Sequence, residues 1–193
     1  MTREWGRYYE AAGDDPRGTL RRALERLGPG AGRLAVDLGC GSGRDTAEML
    51  RRGWRVLAID SEQQAIERLL AREDVDLDSL EVRVARFEEA EWPQAHLVNS
   101  SFALPFCPPE AFPAVWERIV DSLPPGGCFS GQLFGDRDGW SDEAELTFQT
   151  RAEALELLQG FELERFDELE EDGSTALGVP KHWHLFHVVA RKR

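Results

Sequence analysis

Cysteine is scarce in this sequence of 193 residues, which contains only three. Cys40, Cys107 and Cys128 are an odd and sparse set, which does not make a disulfide framework. No two of them have the C-x-x-C spacing of a zinc site. Unpaired cysteines are typical of proteins in a reducing compartment, so we expect a cytoplasmic protein.

Basic residues are also in the minority, with 23 lysines and arginines against 36 acidic residues and a formal net charge of -13. Lys181, Lys192 and the scattered arginines do not form a basic run that would offset this charge. A chain this acidic repels phosphate backbones, so we expect no nucleic-acid substrate. The N-terminus has no apolar signal core and no stretch reaches transmembrane length, so we expect no membrane partner.

The remaining composition is that of a globular protein, with 41% hydrophobic and 31% charged residues. The length suits one domain with a covered core. No internal repeat, long linker or low-complexity tract divides the chain. We therefore expect residues 1–193 to form a single domain.

The most informative stretch, residues 35–46, predicts a buried strand, a glycine-rich turn and the start of a helix. Its first part is an apolar run, interrupted by Asp37, of the kind that forms a parallel strand covered on both faces. Gly39, Gly41 and Gly43 follow at alternate positions, where the lack of a side chain lets the backbone turn sharply and lets a ligand approach it. In an open parallel sheet, such a turn borders a nucleotide-binding crevice.

The dinucleotide fingerprint G-x-G-x-x-G is incomplete, because Arg44 occupies the position of its last glycine. A nucleotide-dependent oxidoreductase is therefore disfavoured but remains an alternative. Asp37, directly before the turn, suits a cationic group better than a pyrophosphate. The capping-box spacing of Ser42 and Asp45 predicts that the next helix begins near Arg44.

A second acidic residue, Asp60, stands at the end of the next predicted strand, residues 54–59. In dinucleotide sites, an acid about 20 residues beyond the glycine turn accepts the hydrogen bonds of a ribose diol. The alternative is an aspartate in an ordinary turn before a helix. Ser61 and Gln64 have the spacing of a capping box for that helix.

The fourth predicted strand, residues 96–104, also contains polar residues. Asn99 and Ser100 follow its apolar side chains, where the strand should reach the crevice. Phe102 and Phe106 flank the start of a proline-rich loop, which is stiff because proline fixes φ. The two phenylalanines either line a substrate pocket or pack under this loop, and the sequence leaves both possibilities open.

The segment Asp37-Leu38-Gly39-Cys40-Gly41-Ser42-Gly43 resembles motif I of the class I S-adenosylmethionine-dependent methyltransferases in its acid, its spacing and its three glycines. The resemblance implies an α/β fold, a Rossmann-like, mostly parallel sheet of seven strands with helices on both faces and an antiparallel last strand. It implies S-adenosylmethionine as the cofactor. The motif-I acid would lie near its methionine end, the glycines along its amino-acid part and Asp60 at its ribose.

The same resemblance places the adenine ring at the turn after the third predicted strand, where Phe87 would stack on it and Glu88 would accept from its amine. It also implies that an N-terminal arm and helix, residues 1–30, cover the cofactor site, with Tyr9 within reach of the cofactor. The cofactor-binding residues expected in total are Asp37, Gly39, Cys40, Gly41, Gly43, Asp45, Asp60, Ser61, Arg86, Phe87, Glu88, Asn99, Ser100 and Tyr9.

Two histidines, His182 and His184, share a face of the C-terminal segment if it is a strand, because side chains repeat every two residues. With no third ligand nearby they are weak evidence for a metal, and we expect none. They are, like Phe102 and Phe106, candidates for substrate contact. The segment 181–184, the short chain and the aromatic N-terminus resemble, more loosely, the tellurite-resistance-type branch of the small methyltransferases.

These observations predict a methyltransferase that passes a methyl group to a small-molecule acceptor by in-line displacement, as a monomer or homodimer. The sequence identifies no catalytic base. Two further alternatives remain: a non-catalytic adenosylmethionine-binding protein, which the fold alone does not exclude, and a protein methyltransferase, which the small size disfavours.

Overall fold

The computed structural model describes residues 5–11 and 13–193. Within the arm expected over residues 1–30, residues 1–4 and 12 lie outside the described part. The strands are β1 (Leu34–Leu38), β2 (Arg55–Asp60), β3 (Leu80–Val84), β4 (Leu97–Ser100), β5 (Cys128–Gly135), β6 (Phe148–Gln149), β7 (Phe161–Ser174) and β8 (Pro180–Lys192). The α-helices are α1 (Trp5–Ala11), α2 (Gly18–Leu27), α3 (Arg44–Arg51), α4 (Gln63–Leu70), α5 (Phe112–Ser122) and α6 (Arg151–Leu157).

The strands form one sheet in the order β3-β2-β1-β4-β5-β8-β7, and the short β6 pairs with the end of β5. Strands β1 to β5 are parallel, whereas β8 runs antiparallel to both β5 and β7. The Rossmann-like, mostly parallel sheet with a reversed last strand is therefore confirmed. The structure adds β6, a two-residue strand that the sequence analysis does not anticipate.

The fourth strand is shorter than predicted, because β4 ends at Ser100. Phe102, two residues later, has a positive φ of 54°, which turns the chain out of the sheet. The sequence predicts the last two long strands over residues 161–169 and 183–190, and the structure extends both, to 14 residues in β7 and 13 in β8. Acidic side chains interrupt the apolar alternation of β7, so hydrophobic periodicity does not mark its full length.

Helices cover both faces of the sheet because neighbouring strand residues point to opposite faces. On one face, α5 and α6 pack against Val36 and its neighbours through side chains such as Trp116. On the other face, α2, α3 and α4 pack against Ala35 through Leu24 and Met49 among others. The arrangement buries the parallel strands on both faces, as their apolar composition predicts.

The cap at the start of α3 differs from the prediction, although the helix does begin at Arg44. Its N-cap is Gly43, in the left-handed conformation, and no side chain caps the helix. The Ser42–Asp45 capping box is therefore wrong. Asp45 instead accepts a hydrogen bond from the backbone N–H of Arg17 at 2.9 Å.

The cap of α4 also differs, since Glu62 is the N-cap and makes no side-chain cap bond. The Ser61–Gln64 capping box is therefore wrong too. By contrast, Thr150 and Glu153 form the complete reciprocal capping box at the start of α6.

The carboxyl ends of four parallel strands meet at one edge of the sheet. Strand β1 ends directly before the glycine turn, β2 ends at Asp60, β4 at Ser100 and β5 at Gly135. Because ligands of open α/β sheets bind beyond the carboxyl ends of the strands, this edge is the candidate site.

Candidate functional site

The glycine turn after β1 folds back onto the end of β2. The backbone N–H groups of Gly39 and Cys40 both donate to the carbonyl of Ile59, at 2.8 and 3.1 Å. Gly39, Gly41 and Gly43 have φ values of 70°, 55° and 84°, in the left-handed region where glycine carries no steric penalty.

At two of these glycines, neighbouring atoms also leave no room for a side chain. A Cβ atom on Gly39 would lie 2.2 Å from the Cβ of Ala103 in the loop after β4. One on Gly43 would lie 2.3 Å from Cδ1 of Leu69 in α4. The sequence pattern of alternate glycines therefore reflects both conformation and close packing.

Asp60 joins the end of β2 to this turn. Its Oδ2 accepts from the backbone N–H of Gly41 at 2.8 Å, and its Oδ1 accepts from the N–H of Glu62 at 2.9 Å. Burial is the main cause that raises the pKa of Asp60. Each carboxylate oxygen has a further lone pair, so the group can accept hydrogen bonds from a ligand diol as well.

A buried hydrogen-bond network holds two more acids behind the turn. The side-chain amide of Asn99 donates to Asp37 Oδ1 at 2.9 Å and to Asp45 Oδ2 at 3.1 Å. Its own oxygen accepts from the Ser130 hydroxyl at 2.7 Å, while Asp37 Oδ2 accepts from Thr46 at 2.6 Å. The two amide hydrogens of Asn99 therefore hold the carboxylates of Asp37 and Asp45 in place.

The two acids lie close enough for the charge of one to affect the other. Burial and the neighbouring charge of Asp45 raise the pKa of Asp37. Neither acid forms an ion pair with a described basic side chain. A cation placed beside two adjacent carboxylates favours their ionised forms, so this corner of the site suits a positively charged ligand group.

Helix α1 lies over the glycine turn. A Cβ atom on Gly41 would lie 3.3 Å from Cε1 of Tyr9, which places the tyrosine ring directly above the turn. Burial and the negative charges of Asp60 and Glu62 raise the pKa of the Tyr9 hydroxyl. An ion pair of 2.9 Å between Glu10 and Arg68 ties α1 to α4.

A pocket opens between α1, the glycine turn and the loop after β4. It combines turn residues, the two buried acids and side chains from α1 and from the starts of α2 and α3. Its lining residues are Tyr8, Tyr9, Arg17, Asp37, Gly39, Cys40, Gly41, Ser42, Arg44, Asp45 and Ser101.

The sequence analysis missed the two basic residues of this pocket. Arg17 precedes α2, and its guanidinium lies 4.6 Å from the ring centroid of Phe102. Arg44 begins α3, and burial together with the positive charge of Arg17 lowers its pKa. Neither forms an ion pair with a described acidic side chain. The sequence draws attention to Arg44, because it occupies the last glycine position of the G-x-G-x-x-G pattern. No comparable local pattern distinguishes Arg17.

Other predicted cofactor contacts are placed less favourably. Phe87 borders the turn, with its Cζ atom 3.4 Å from the Cβ position of Gly39. Arg86 and Glu88 pair with each other at 2.7 Å and lie outside the pocket lining, and Ser61 is exposed beside Asp60. The buried Ser100 hydroxyl donates to the Leu38 carbonyl at 3.0 Å, so it faces the sheet.

Residues 35–127, which begin in β1 and include the turn, Asp60 and Asn99, match a family described as methyltransferase domain. Residues 35–127 are therefore a methyltransferase domain. This match confirms the resemblance of motif I to the S-adenosylmethionine-dependent methyltransferases. S-adenosylmethionine is the cofactor of this class of proteins.

A curated relative of this methyltransferase domain is the carboxy-S-adenosyl-L-methionine synthase of Citrifermentans bemidjiense. The two are 34% identical over 125 residues, which cover 61% of this chain and 50% of that protein. The chain therefore spans about half the length of the curated relative that it matches.

Two solved structures show how widely the fold is shared. TehB from Haemophilus influenzae has a TM-score of 0.77 and 17% identity, with 92% of this chain and 62% of that chain covered. The 1,6-didemethyltoxoflavin-N1-methyltransferase of Burkholderia thailandensis, solved with 1,6-didemethyltoxoflavin and S-adenosylhomocysteine, has a TM-score of 0.64 and 23% identity over 97% of this chain and 84% of that chain. Likeness at these identities concerns the fold alone.

Beside the pocket, the chain carries a cluster of aromatic side chains. Phe106 packs under the loop, with its ring 5.2 Å from Trp5 and 5.9 Å from Phe134. Phe102 is half-buried between Arg17 and Trp183, whose ring centroid lies 6.4 Å away. The structure thus favours the packing alternative for Phe106 and leaves Phe102 at the border of the pocket.

The two candidate histidines are not part of the pocket lining. His184 is fully buried, with Nδ1 accepting from the backbone N–H of Arg137 at 3.1 Å and Nε2 lying 3.0 Å from Glu168. His182 is half-exposed and pairs with Asp172 at 2.7 Å. Among residues 5–11 and 13–193, no group of three or more metal-ligating side chains is close enough to hold a metal ion.

The loop after β5 is fixed by a buried ion pair that the sequence analysis missed. Lys181 pairs with Asp138, and their side chains are 1% and 0% exposed. The lysine Nζ lies 3.7 Å from the ring centroid of Trp183 and 4.1 Å from that of Trp140. Asp138 also accepts from the backbone N–H of His184 at 3.2 Å, so it ties the loop to β8.

In the part of the chain that the structure describes, every helix is too short or too polar to cross a membrane.

Proposed function

We propose that this chain binds S-adenosylmethionine along residues 39–43 and transfers its methyl group to a small-molecule acceptor by in-line displacement. The observation that carries the proposal is the carboxylate of Asp60, held on the glycine turn by the 2.8 Å hydrogen bond from Gly41. It stands within the region that matches the methyltransferase domain family.

Each polar part of the cofactor has a complementary group in the site. The free lone pairs of Asp60 accept the ribose hydroxyls. The buried acids Asp37 and Asp45 favour the positively charged amino group and sulfur. Arg44 and the backbone amides at the start of α3 favour the carboxylate, because a helix N-terminus attracts anions.

When bound, S-adenosylmethionine supplies an electrophilic methyl group on a positively charged sulfur. The protein's contribution is to position the reactants and to exclude water. Tyr9 covers the turn, and Asn99 fixes the acids through hydrogen bonds of 2.9 and 3.1 Å. Proximity and desolvation account for large accelerations of bimolecular reactions, so this mechanism does not require a protein nucleophile.

Two features support a small-molecule acceptor. The net charge of -13 disfavours nucleic acid. The side chains next to the pocket, Phe102 and Trp183, are aromatic and half-buried, as is typical of small-ligand sites.

Isothermal titration calorimetry with S-adenosylmethionine, S-adenosylhomocysteine and NAD tests the binding step. We expect both adenosyl compounds to bind and NAD not to bind. Formation of S-adenosylhomocysteine in the presence of pools of small nucleophiles then tests transfer. Binding without transfer to any pool would support the non-catalytic alternative, and transfer only to protein extracts would support a protein methyltransferase.

A further inference from the structure

We propose that the methyl acceptor binds against Arg17, Phe102, Trp183 and His187, here called the acceptor patch, and presents an anionic oxygen to Arg17 and to a neutral His187 that donates from Nε2. This inference rests on the proposed function, because the patch adjoins the pocket assigned to the cofactor. It adds the chemical class of the acceptor: a small aromatic or otherwise planar compound with a carboxylate or another anionic oxygen.

The patch is continuous with the cofactor pocket. Arg17 lines that pocket and also lies 4.6 Å from the ring centroid of Phe102. The Phe102 ring is in turn 6.2 Å from His187 and 6.4 Å from Trp183. All four side chains are half-buried, so they form one accessible wall beside the pocket.

The protonation of His187 follows from a fixed glutamine. The backbone N–H of Phe102 donates to Gln132 Oε1 at 2.8 Å, which sets the orientation of this buried amide. Gln132 Nε2 donates one hydrogen to Thr19 Oγ1 at 3.0 Å, and its other hydrogen is directed at His187 Nδ1, 3.4 Å away. Nδ1 must therefore accept, and in a neutral imidazole the proton then resides on Nε2.

The surroundings of His187 keep the ring neutral. Burial and the positive charges of Arg165 and Arg17 lower its pKa, and these effects outweigh that of Asp167, which acts in the opposite direction. Because Nδ1 faces the buried Gln132, Nε2 points away from it, and it has no hydrogen-bond partner among the described residues. His187 is thus a hydrogen-bond donor, not a base.

The second donor of the patch is also unpaired. The guanidinium of Arg17 forms no ion pair with a described acidic side chain, although the chain has 36 acidic residues and many of its other arginines do form such pairs. An unpaired guanidinium beside an unpaired N–H donor is suited to an anionic oxygen, with which charge-assisted hydrogen bonds form. Phe102 and Trp183 supply aromatic surface for the rest of the acceptor.

The test uses the full chain saturated with S-adenosylhomocysteine and labelled with 15N at histidine. Benzoate is the anionic probe, and benzylamine is its cationic counterpart of similar size. The His187 signals are assigned by their loss in His187→Phe. We expect a protonated Nε2 and an unprotonated Nδ1, a shift of these signals with benzoate, and no comparable shift with benzylamine.

Two variants separate the proposed role from simple packing. Arg17→Gln should weaken benzoate binding by about tenfold or more, since a charge-assisted hydrogen bond is lost. Gln132→Glu keeps the shape but presents an acceptor to Nδ1, so the proton should move to Nδ1, the pKa of His187 should rise and benzoate should bind more weakly. Gln159→Glu, in the exposed turn after α6, is the matched control and should change neither the histidine signals nor benzoate binding.

Two results would overturn the proposal: a protonated Nδ1 in the unmodified chain, or equal responses to benzoate and benzylamine. Calorimetry with S-adenosylhomocysteine separates this failure from failure of the proposed function. If S-adenosylhomocysteine binds and benzoate does not, only the acceptor patch is wrong. If S-adenosylhomocysteine itself does not bind, the proposed function is wrong.

Discussion

The Asp60 carboxylate accepts a hydrogen bond of 2.8 Å from the backbone N–H of Gly41, which links the end of β2 to the turn after β1. These two residues lie far apart in the sequence, and the parallel pairing of β1 with β2 brings them together. The bond fixes the carboxylate at the edge of the sheet where a ribose diol is expected.

Replacing Asp60 should therefore impair cofactor binding. Asp60→Ala should weaken the affinity for S-adenosylmethionine by at least about tenfold, or roughly 1.4 kcal/mol, because the acceptor for the ribose hydroxyls is lost. Asp60→Asn, which keeps one acceptor oxygen, should have a smaller effect. Asp121→Ala, an exposed acid on α5, is the control. Unchanged calorimetric affinity in a folded Asp60→Ala protein would remove the ribose assignment.

Gly39 should tolerate no side chain. Gly39→Ala combines a positive φ of 70° with a Cβ only 2.2 Å from that of Ala103. We expect a conformational cost of about 1 to 2 kcal/mol and an overpacking cost of about 1 to 3 kcal/mol in the free energy of unfolding, measured with urea. Gly178→Ala isolates the first cost, because Gly178 has a φ of 77° and no atom within 4 Å of its Cβ position. Equal losses at the two sites would contradict the packing argument.

Asn99 should matter for the acids that it holds more than for direct contact with the cofactor. Asn99→Ala removes both donors to Asp37 and Asp45 and should lower the free energy of unfolding by about 2 to 4 kcal/mol, since buried polar groups lose their partners. The loss should grow as pH rises, because Asp37, whose pKa is raised by burial, then carries more charge. Urea unfolding at two pH values checks this, and a loss independent of pH would show that the hydrogen bond from Asn99 does not depend on the charge of Asp37.

Cofactor binding should depend on pH through Asp37 and Asp60. Their pKa values are raised in the folded protein, chiefly by burial, so the folded state retains protons that the unfolded chain has lost. Their contribution to stability is present at low pH and is lost as pH rises through the folded pKa values. The positively charged cofactor favours the ionised acids, so its binding should release protons and strengthen from about pH 5 to about pH 8.

S-adenosylhomocysteine is the matched ligand for this prediction, because it lacks the positive charge on sulfur. Its affinity should change less with pH than that of S-adenosylmethionine. Proton release is measured by calorimetry in buffers of different ionisation enthalpy. Identical pH profiles for the two ligands would show that the acids do not face the sulfur.

The stability of the protein should depend on Lys181 and Asp138 together, because each neutralises the buried charge of the other. Lys181→Met leaves the Asp138 carboxylate buried without a counter-charge and should cost about 3 to 5 kcal/mol of unfolding free energy. Lys181→Met combined with Asp138→Asn should recover part of this loss, because the uncompensated charge is gone. A double variant less stable than the single one would show that Asp138 is held by its backbone donors and not by the lysine.

The sequence predicts best those features whose signals are local. The glycine turn, the start of α3 at Arg44 and the acid at the end of β2 each depend on a few adjacent residues. The topology of the sheet is implied by the resemblance of motif I to a known family. The failed capping boxes show the limit of such signals. The side chain of Asp45 meets the backbone of Arg17, and that of Asp60 meets Gly41, so tertiary partners replace the local ones.

Features that arise from contacts between distant segments escaped prediction. Asn99 stays a predicted cofactor contact, but its connection of β1, α3 and β5 through Asp37, Asp45 and Ser130 was not predicted. Arg17 is one of many arginines, and only the fold places it over Phe102. The same holds for His187, whose protonation depends on the orientation of Gln132, a residue with no distinguishing pattern in the sequence.

The most direct test of the central claim is a crystal structure of the chain with S-adenosylhomocysteine. We expect the amino-acid part of the ligand to lie along residues 39–43 and both ribose hydroxyls to lie within hydrogen-bonding distance of Asp60. Ligand bound at another place, or a glycine turn with Tyr9 still packed on Gly41 and no ligand beside it at saturating concentration, would contradict it.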